Sequence, residues 1–161
     1  MANLVLLLCS LLSVSAAPTT WVKLRNLQHF DALHESIGEG GILVSGFFDD
    51  SADGEHASQL LKEAHDTQAT IFAEDKVGMK HTPRVFTHST NQVLAKDLCH
   101  DADVQLPDKR SQAACVLIQK ASPDGSSGWM ASTTDVSDLD SLTTFLQTQA
   151  ARSVPNYKEE L

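Results

Sequence analysis

Ile42-Leu43-Val44-Ser45-Gly46-Phe47-Phe48 is an almost unbroken apolar stretch of strand length. A strand with one wet face alternates polar and apolar residues. This one does not, so it predicts a strand covered on both sides. A chain built around such a strand must supply one helical layer above the sheet and another below it.

The flanking residues offer both layers. Residues 20–24 read as a short strand, after which Leu27, Phe30, Leu33 and Ile37 recur at helical spacing and Gly38-Glu39-Gly40-Gly41 stops the helix. Residues 49–54 form a polar turn. A long helical stretch then carries Ala57, Leu60, Leu61, Ala64, Ile71 and Phe72 on one side, and Gly78 and Pro83 close it. Residues 84–88 predict a second interior strand, with Ser89 capping a helix that turns Val93, Leu94 and Leu98 inward. Residues 114–118 are a further apolar strand. Pro123-Asp124-Gly125 is a turn signal, and residues 128–132 predict the partner strand of a hairpin. The last helix is expected near Ser137, where Ser137 and Asp140 imitate a capping box and Leu139, Leu142, Phe145 and Leu146 face the core. The order is β-α-β-α-β-α-β-β-α, with no internal repeat and no low-complexity segment. It implies a mainly parallel sheet with an antiparallel hairpin at one edge.

The two ends carry address-like patterns. Residues 4–12 are Leu-Val-Leu-Leu-Leu-Cys-Ser-Leu-Leu, too short to span a bilayer, which takes about 20 residues. Ser13-Val14-Ser15-Ala16-Ala17-Pro18 follows and fits a signal-peptidase site after Ala16, although the segment before the run is only weakly charged. The expected organisation is a signal peptide over residues 1–16, one domain over 20–150 and a flexible tail over 151–161. Removal of the signal leaves about 145 residues, an ordinary single domain, and the mature chain is expected to be soluble. Lys158-Glu159-Glu160-Leu161 resembles the KDEL-type address read by a retrieval receptor. Together the two ends predict the lumen of the endoplasmic reticulum. With 21 acidic against 12 basic residues the formal charge is −9. That balance argues against nucleic acid and anionic membrane surfaces as partners, because both require neutralising cations. The chain contains no Asn-x-Ser/Thr sequon.

The strand and helix order is that of a thioredoxin-like α/β fold, a central mixed sheet flanked by helices. Gly46-Phe47-Phe48-Asp49-Asp50, Arg84-Val85-Phe86-Thr87-His88-Ser89-Thr90 and Cys115-Val116-Leu117-Ile118-Gln119-Lys120 resemble the corresponding parts of the non-catalytic b-type domains of the protein disulfide isomerase family. The resemblance runs roughly over residues 21–149, and residues 67–83 are longer than the family pattern. A redox-active relative needs Cys-x-x-Cys at the helix start after the first interior strand, where the helix N-terminus stabilises a thiolate and the second cysteine resolves the mixed disulfide. That window here is Ser51-Ala52-Asp53-Gly54-Glu55, so Ala52 and Glu55 stand where the redox cysteines would be. The proline expected before Ala114 is also missing, its place taken by Ser111-Gln112-Ala113. The resemblance therefore implies a protein without dithiol catalysis and without a cofactor.

Other residues invite chemistry of their own. Cys9 would leave with the signal, so Cys99 and Cys115 remain, either as a disulfide or as two buried thiols. A bond would close a loop of about 17 residues, stabilising by about 3 kcal/mol in the chain-entropy account. Asp49-x-Ser51-x-Asp53-Gly54 opens like a calcium-binding loop, but Leu60 occupies the twelfth position, where a bidentate glutamate is required. The pairs His29 and His34, His56 and His65, and His81 and His88 lack the spacing of a metal site, and no metal is expected. The expected function is a non-catalytic accessory or chaperone-like protein that binds a folding enzyme or non-native client proteins. Phe47, Phe48 and Trp129 are the contact candidates, the two phenylalanines also being core candidates. Client binding in multidomain relatives lies mainly in a neighbouring domain, so a scaffold role fits the same expectation. The alternatives are an isomerase using Cys99 or Cys115 alone and a luminal calcium-binding protein.

Overall fold

The computed structural model describes residues 20–38, 41–73, 84–100, 113–121 and 129–152. In chain order the elements are β1 (Thr20–Lys23), α1 (Leu27–Ser36), β2 (Ile42–Phe48), α2 (Ala52–Asp66), α3 (Gln68–Ile71), β3 (Arg84–Ser89), α4 (Gln92–His100), β4 (Ala114–Lys120), β5 (Trp129–Thr133) and α5 (Leu139–Ala150). The sheet runs β1-β3-β2-β4-β5. β1, β3 and β2 are mutually parallel, and β4 and β5 are antiparallel additions at the far side. This is a thioredoxin-like α/β arrangement, as the order of apolar runs predicts.

All seven residues of β2 are buried, and so are all seven of β4. Their two-residue period divides them between two cores. Ile42, Val44 and Phe48 join Val116 and Ile118 under α2 and α5, with Leu61, Leu142 and Leu146. Leu43 and Phe47 join Cys115 and Leu117 on the other face, with Phe30 of α1 and Leu94 and Leu98 of α4. Phe47 and Phe48 are thus core residues on opposite faces, and neither is available as a contact surface. A buried polar pair inside the sheet satisfies itself, since the Thr87 hydroxyl donates to Ser45 Oγ at 2.7 Å.

Several local expectations need correction. The turn after β2 ends at Ser51, and Gly54 already lies inside α2. Ser89 cannot cap α4 because it is the last, buried residue of β3, paired with Phe47. Asn91 does that work, accepting from the Val93 and Leu94 amides at 3.1 and 3.2 Å. Val93 then falls in the solvated first turn and is 71% exposed, not inward. Leu27 is likewise 46% exposed at the start of α1, leaving Phe30 and Ile37 as that segment's buried residues. At α5 the cap is Asp138, whose carboxylate accepts the Ser141 amide at 2.8 Å, and the Ser137 hydroxyl instead donates to Asp135 and Asp138. The long helical stretch breaks at Thr67, whose hydroxyl donates to the Glu63 carbonyl. The single turn of α3 is held from outside: Arg84 donates to the Gln68 and Phe72 carbonyls and Gln147 to that of Ile71. These bonds satisfy carbonyls that so short a helix leaves open.

Gly38 stops α1 as expected, with φ at +66° in the left-handed region. Lys120 is a buried cation at the end of β4, and its ammonium donates to the Ala150 and Arg152 carbonyls, both at 3.1 Å. Burial holds its pKa below the usual lysine range. The signal-like segment, Cys9, Gly78, His81, Pro83, Ser111-Gln112, Pro123-Asp124-Gly125, the Trp129 side chain and the tail with Lys158, Glu159, Glu160 and Leu161 lie outside the described residues. Among those described, no helix is long and apolar enough to cross a membrane.

Candidate functional site

The end of β2 delivers the chain to the start of α2, where an active thioredoxin-like oxidoreductase carries its Cys-x-x-Cys. Asp49 leaves the strand with its amide donating to the Ala113 carbonyl at 2.9 Å. This contact draws the segment before β4 against the start of α2, so the two elements expected to face one another do so. The Asp49 carboxylate accepts from the Ser51 amide at 3.1 Å and also from the Ser51 hydroxyl. The Ser51 oxygen in turn accepts the Gly54 amide at 3.1 Å and caps the helix. A side chain at position 54 has no room, because a Cβ there would meet the Asp49 carbonyl and would approach the Ala113 carbonyl to 2.9 Å.

Ala52 and Glu55 occupy the exposed first turn of α2, together with Asp53. The positive end of the helix dipole is matched by Asp53 and Glu55, and one of its free amides by Ser51. In an active thioredoxin-like oxidoreductase the same field lowers a thiol pKa. Here it is complemented by carboxylates and a cap, and the turn contains no sulfur. Beside it opens a cleft of about 460 Å³, lined by Asp53, His56, Ala113, Asp135 and Ser137 among others. On the other side of the α2 start, a second cleft of about 510 Å³ carries Asp49, Asp50 and Glu55. The calcium-like Asp49, Ser51 and Asp53 are used as a helix-capping turn. No cluster of three metal-ligating side chains occurs among the described residues.

The two remaining cysteines are elsewhere. Cys99 at the end of α4 and Cys115 in β4 form a disulfide with a Cα–Cα distance of 6.8 Å. They are 2% and 5% exposed, within the core on the α1 and α4 face. A bonded, buried pair offers no thiolate to a substrate.

Of the histidine pairs read from spacing, His29 and His34 lie on α1 and His56 and His65 on α2, while His81 lies outside the described residues. The fold instead gathers His65 of α2 and His88 of β3 around Trp21 of β1. His88 stacks on the indole at 5.0 Å and His65 packs against it at 5.3 Å. Lys62 lies 5.6 Å from the ring centroid. The lysine also pairs with Asp66, which accepts from His65 at 2.8 Å. The Lys62 bond, followed by that to His65, holds the Asp66 carboxyl below its usual range. Burial, with the Lys23 charge adding to it, holds His88 below the usual histidine range. Sequence spacing alone could not find this group, since its members come from three separate elements. The one available signal was a tryptophan in a short lysine-bearing strand. Comparison of the chain with family models, with curated proteins and with solved structures finds no match.

Proposed function

We propose that this chain is a non-catalytic accessory protein of the endoplasmic reticulum lumen, related to the b-type domains of the protein disulfide isomerase family, which binds a folding enzyme or non-native chains. The observation that carries the reading is the start of α2. A thioredoxin-like sheet presents the helix N-terminus suited to a reactive thiolate, and Ala52 and Glu55 stand on its first turn. The Cys99–Cys115 bond supports the compartment, because structural disulfides persist mainly in oxidising spaces. The leader-like run at residues 4–12 and the terminal Lys158-Glu159-Glu160-Leu161 support it independently.

Function then rests on surface contacts. Photo-crosslinking within the lumen of living cells, followed by identification of what is bound, tests this directly. A folding enzyme or incompletely folded secretory chains are the expected products. Recovery of the retrieval receptor alone would sink the binding role. Insulin reduction by the purified protein, abolished by C99S or C115S, would sink the non-catalytic role.

A further inference from the structure

β1 is the outer strand of the sheet, bonded to β3 on one side only among the described residues. The Leu24 amide, next in the chain, donates to the His88 carbonyl at 2.8 Å. In a parallel ladder the backbone groups of alternate residues point to opposite sides. Val22, two residues earlier, therefore faces β3, while Trp21 and Lys23 turn their N–H and C=O groups outward.

Along this free edge runs a cleft of about 830 Å³, between β1 and the first turns of α1. Trp21, Lys23, Arg25, Gln28 and His29 line it, and none of the described residues lining it is Asp or Glu. In a chain of net charge −9 that is a local inversion of sign. Lys23 and Arg25 are exposed, and neither forms an ion pair among the described residues. His29 Nδ1 is shielded from solvent and lacks a hydrogen-bond partner. The opposite edge strand, Trp-Met-Ala-Ser-Thr in β5, contains no cation.

We propose that the β1 edge is a docking site for an acidic segment of a partner protein, bound in extended conformation as an added strand. Backbone groups of Trp21 and Lys23 would pair with the segment, as in other cases of strand addition. Lys23 and Arg25 would select carboxylates on it, and Trp21 would give an apolar contact. An edge lysine ordinarily repels other strands. With a cleft beside it, the same charge admits an acidic strand and rejects a basic one. The inference assigns a partner class to the binding reading above and rests on it.

The test uses the mature protein carrying W129F, so that Trp21 is the only fluorophore of its kind. The probe is a blocked seven-residue peptide of alternating Glu and Val, compared with the same peptide carrying Lys for Glu. The acidic peptide should change Trp21 emission saturably and bind at least about tenfold more tightly than the basic one, with an affinity that falls as salt rises. K23E/R25E, two exposed substitutions, should invert the preference, and K23Q/R25Q should abolish it. N-methylation of alternate peptide residues should block binding in one register and spare it in the other. Equal binding of both peptides, no response to either, or indifference to the charge-swapped variant overturns the proposal. If luminal crosslinking captures a partner that K23E/R25E also captures, the accessory role stands and this edge is not its site.

Discussion

Two ends of one sheet have opposite characters. At the carboxyl end of β2 the start of α2 is filled: Ser51 caps it, Asp49 braces the cap, and Gly54 packs so tightly that a methyl group has no space. Both clefts there are lined with carboxylates. Among the described residues, the outer edge of β1 has its backbone open on one side, two cations without an ion pair, and no carboxylate lining the cleft. The first region is a helix start whose field is spent on stability. The second has unsatisfied bonding capacity, which is what recognition requires. The contrast teaches that the region where this fold usually performs chemistry need not be the region where this chain does its work.

The sharpest way to break the contrast is at Gly54. G54A inserts a Cβ against the Asp49 and Ala113 carbonyls, both of them backbone atoms with little freedom to move. Overpacking of this kind costs about 1–3 kcal/mol, and urea denaturation of wild type and variant measures it. The variant should leave peptide binding at the β1 edge unchanged. A loss below about 0.5 kcal/mol, the ordinary range for a surface change, would mean that the α2 start is looser than its packing implies.

How far the sequence reveals this contrast depends on the range of the interactions involved. The apolar runs at residues 42–48 and 114–118 announce their strands because burial on both faces needs only neighbouring residues to be apolar. The lack of Cys-x-x-Cys from Ser51 to Glu55 is equally legible, because that motif is a local pattern. Caps are less legible, as Ser89 and Ser137 show. Several short polar residues compete there, and the winner is decided by where the strand lets go: Asn91 and Asp138 take the amides. The basic cleft and the Trp21 group were not legible at all. They depend on which strand becomes the edge and on contacts among β1, α2 and β3, which no spacing encodes.

The acidic character of the α2 start can be probed by introducing sulfur. In A52C/E55C the thiol at position 52 meets two opposing influences. The helix N-terminus lowers its pKa, as it does in active oxidoreductases. Asp53, Asp49 and the Ser51 cap already complement that helix end. The expected result is a thiol that stays near its ordinary value of about 8.5, read from the pH dependence of iodoacetamide alkylation. Adding D53N should lower it. A midpoint well below neutrality in A52C/E55C alone would show that the field of the helix start remains available to a thiolate.

The smallest effect belongs to the basic edge and concerns pH. His88 is held below its ordinary pKa, first by burial and then by Lys23. On acidification the unfolded chain therefore takes up this proton before the folded one does. Stability falls as pH drops through the ordinary histidine value, about 6.5, and continues to fall until the lowered folded value is passed, after which this contribution is flat. Thermal melts between about pH 7.5 and 5, spanning histidine titration, should show a steeper loss for wild type than for H88Q. K23M should recover part of the difference. An acidic peptide seated on the β1 edge would set negative charge beside Lys23 and raise the folded pKa, so saturating peptide should flatten the wild-type slope. Identical slopes for wild type and H88Q would remove His88 from the argument. A slope that K23M relieves and bound peptide leaves untouched would keep the electrostatics of the edge but move its ligand elsewhere.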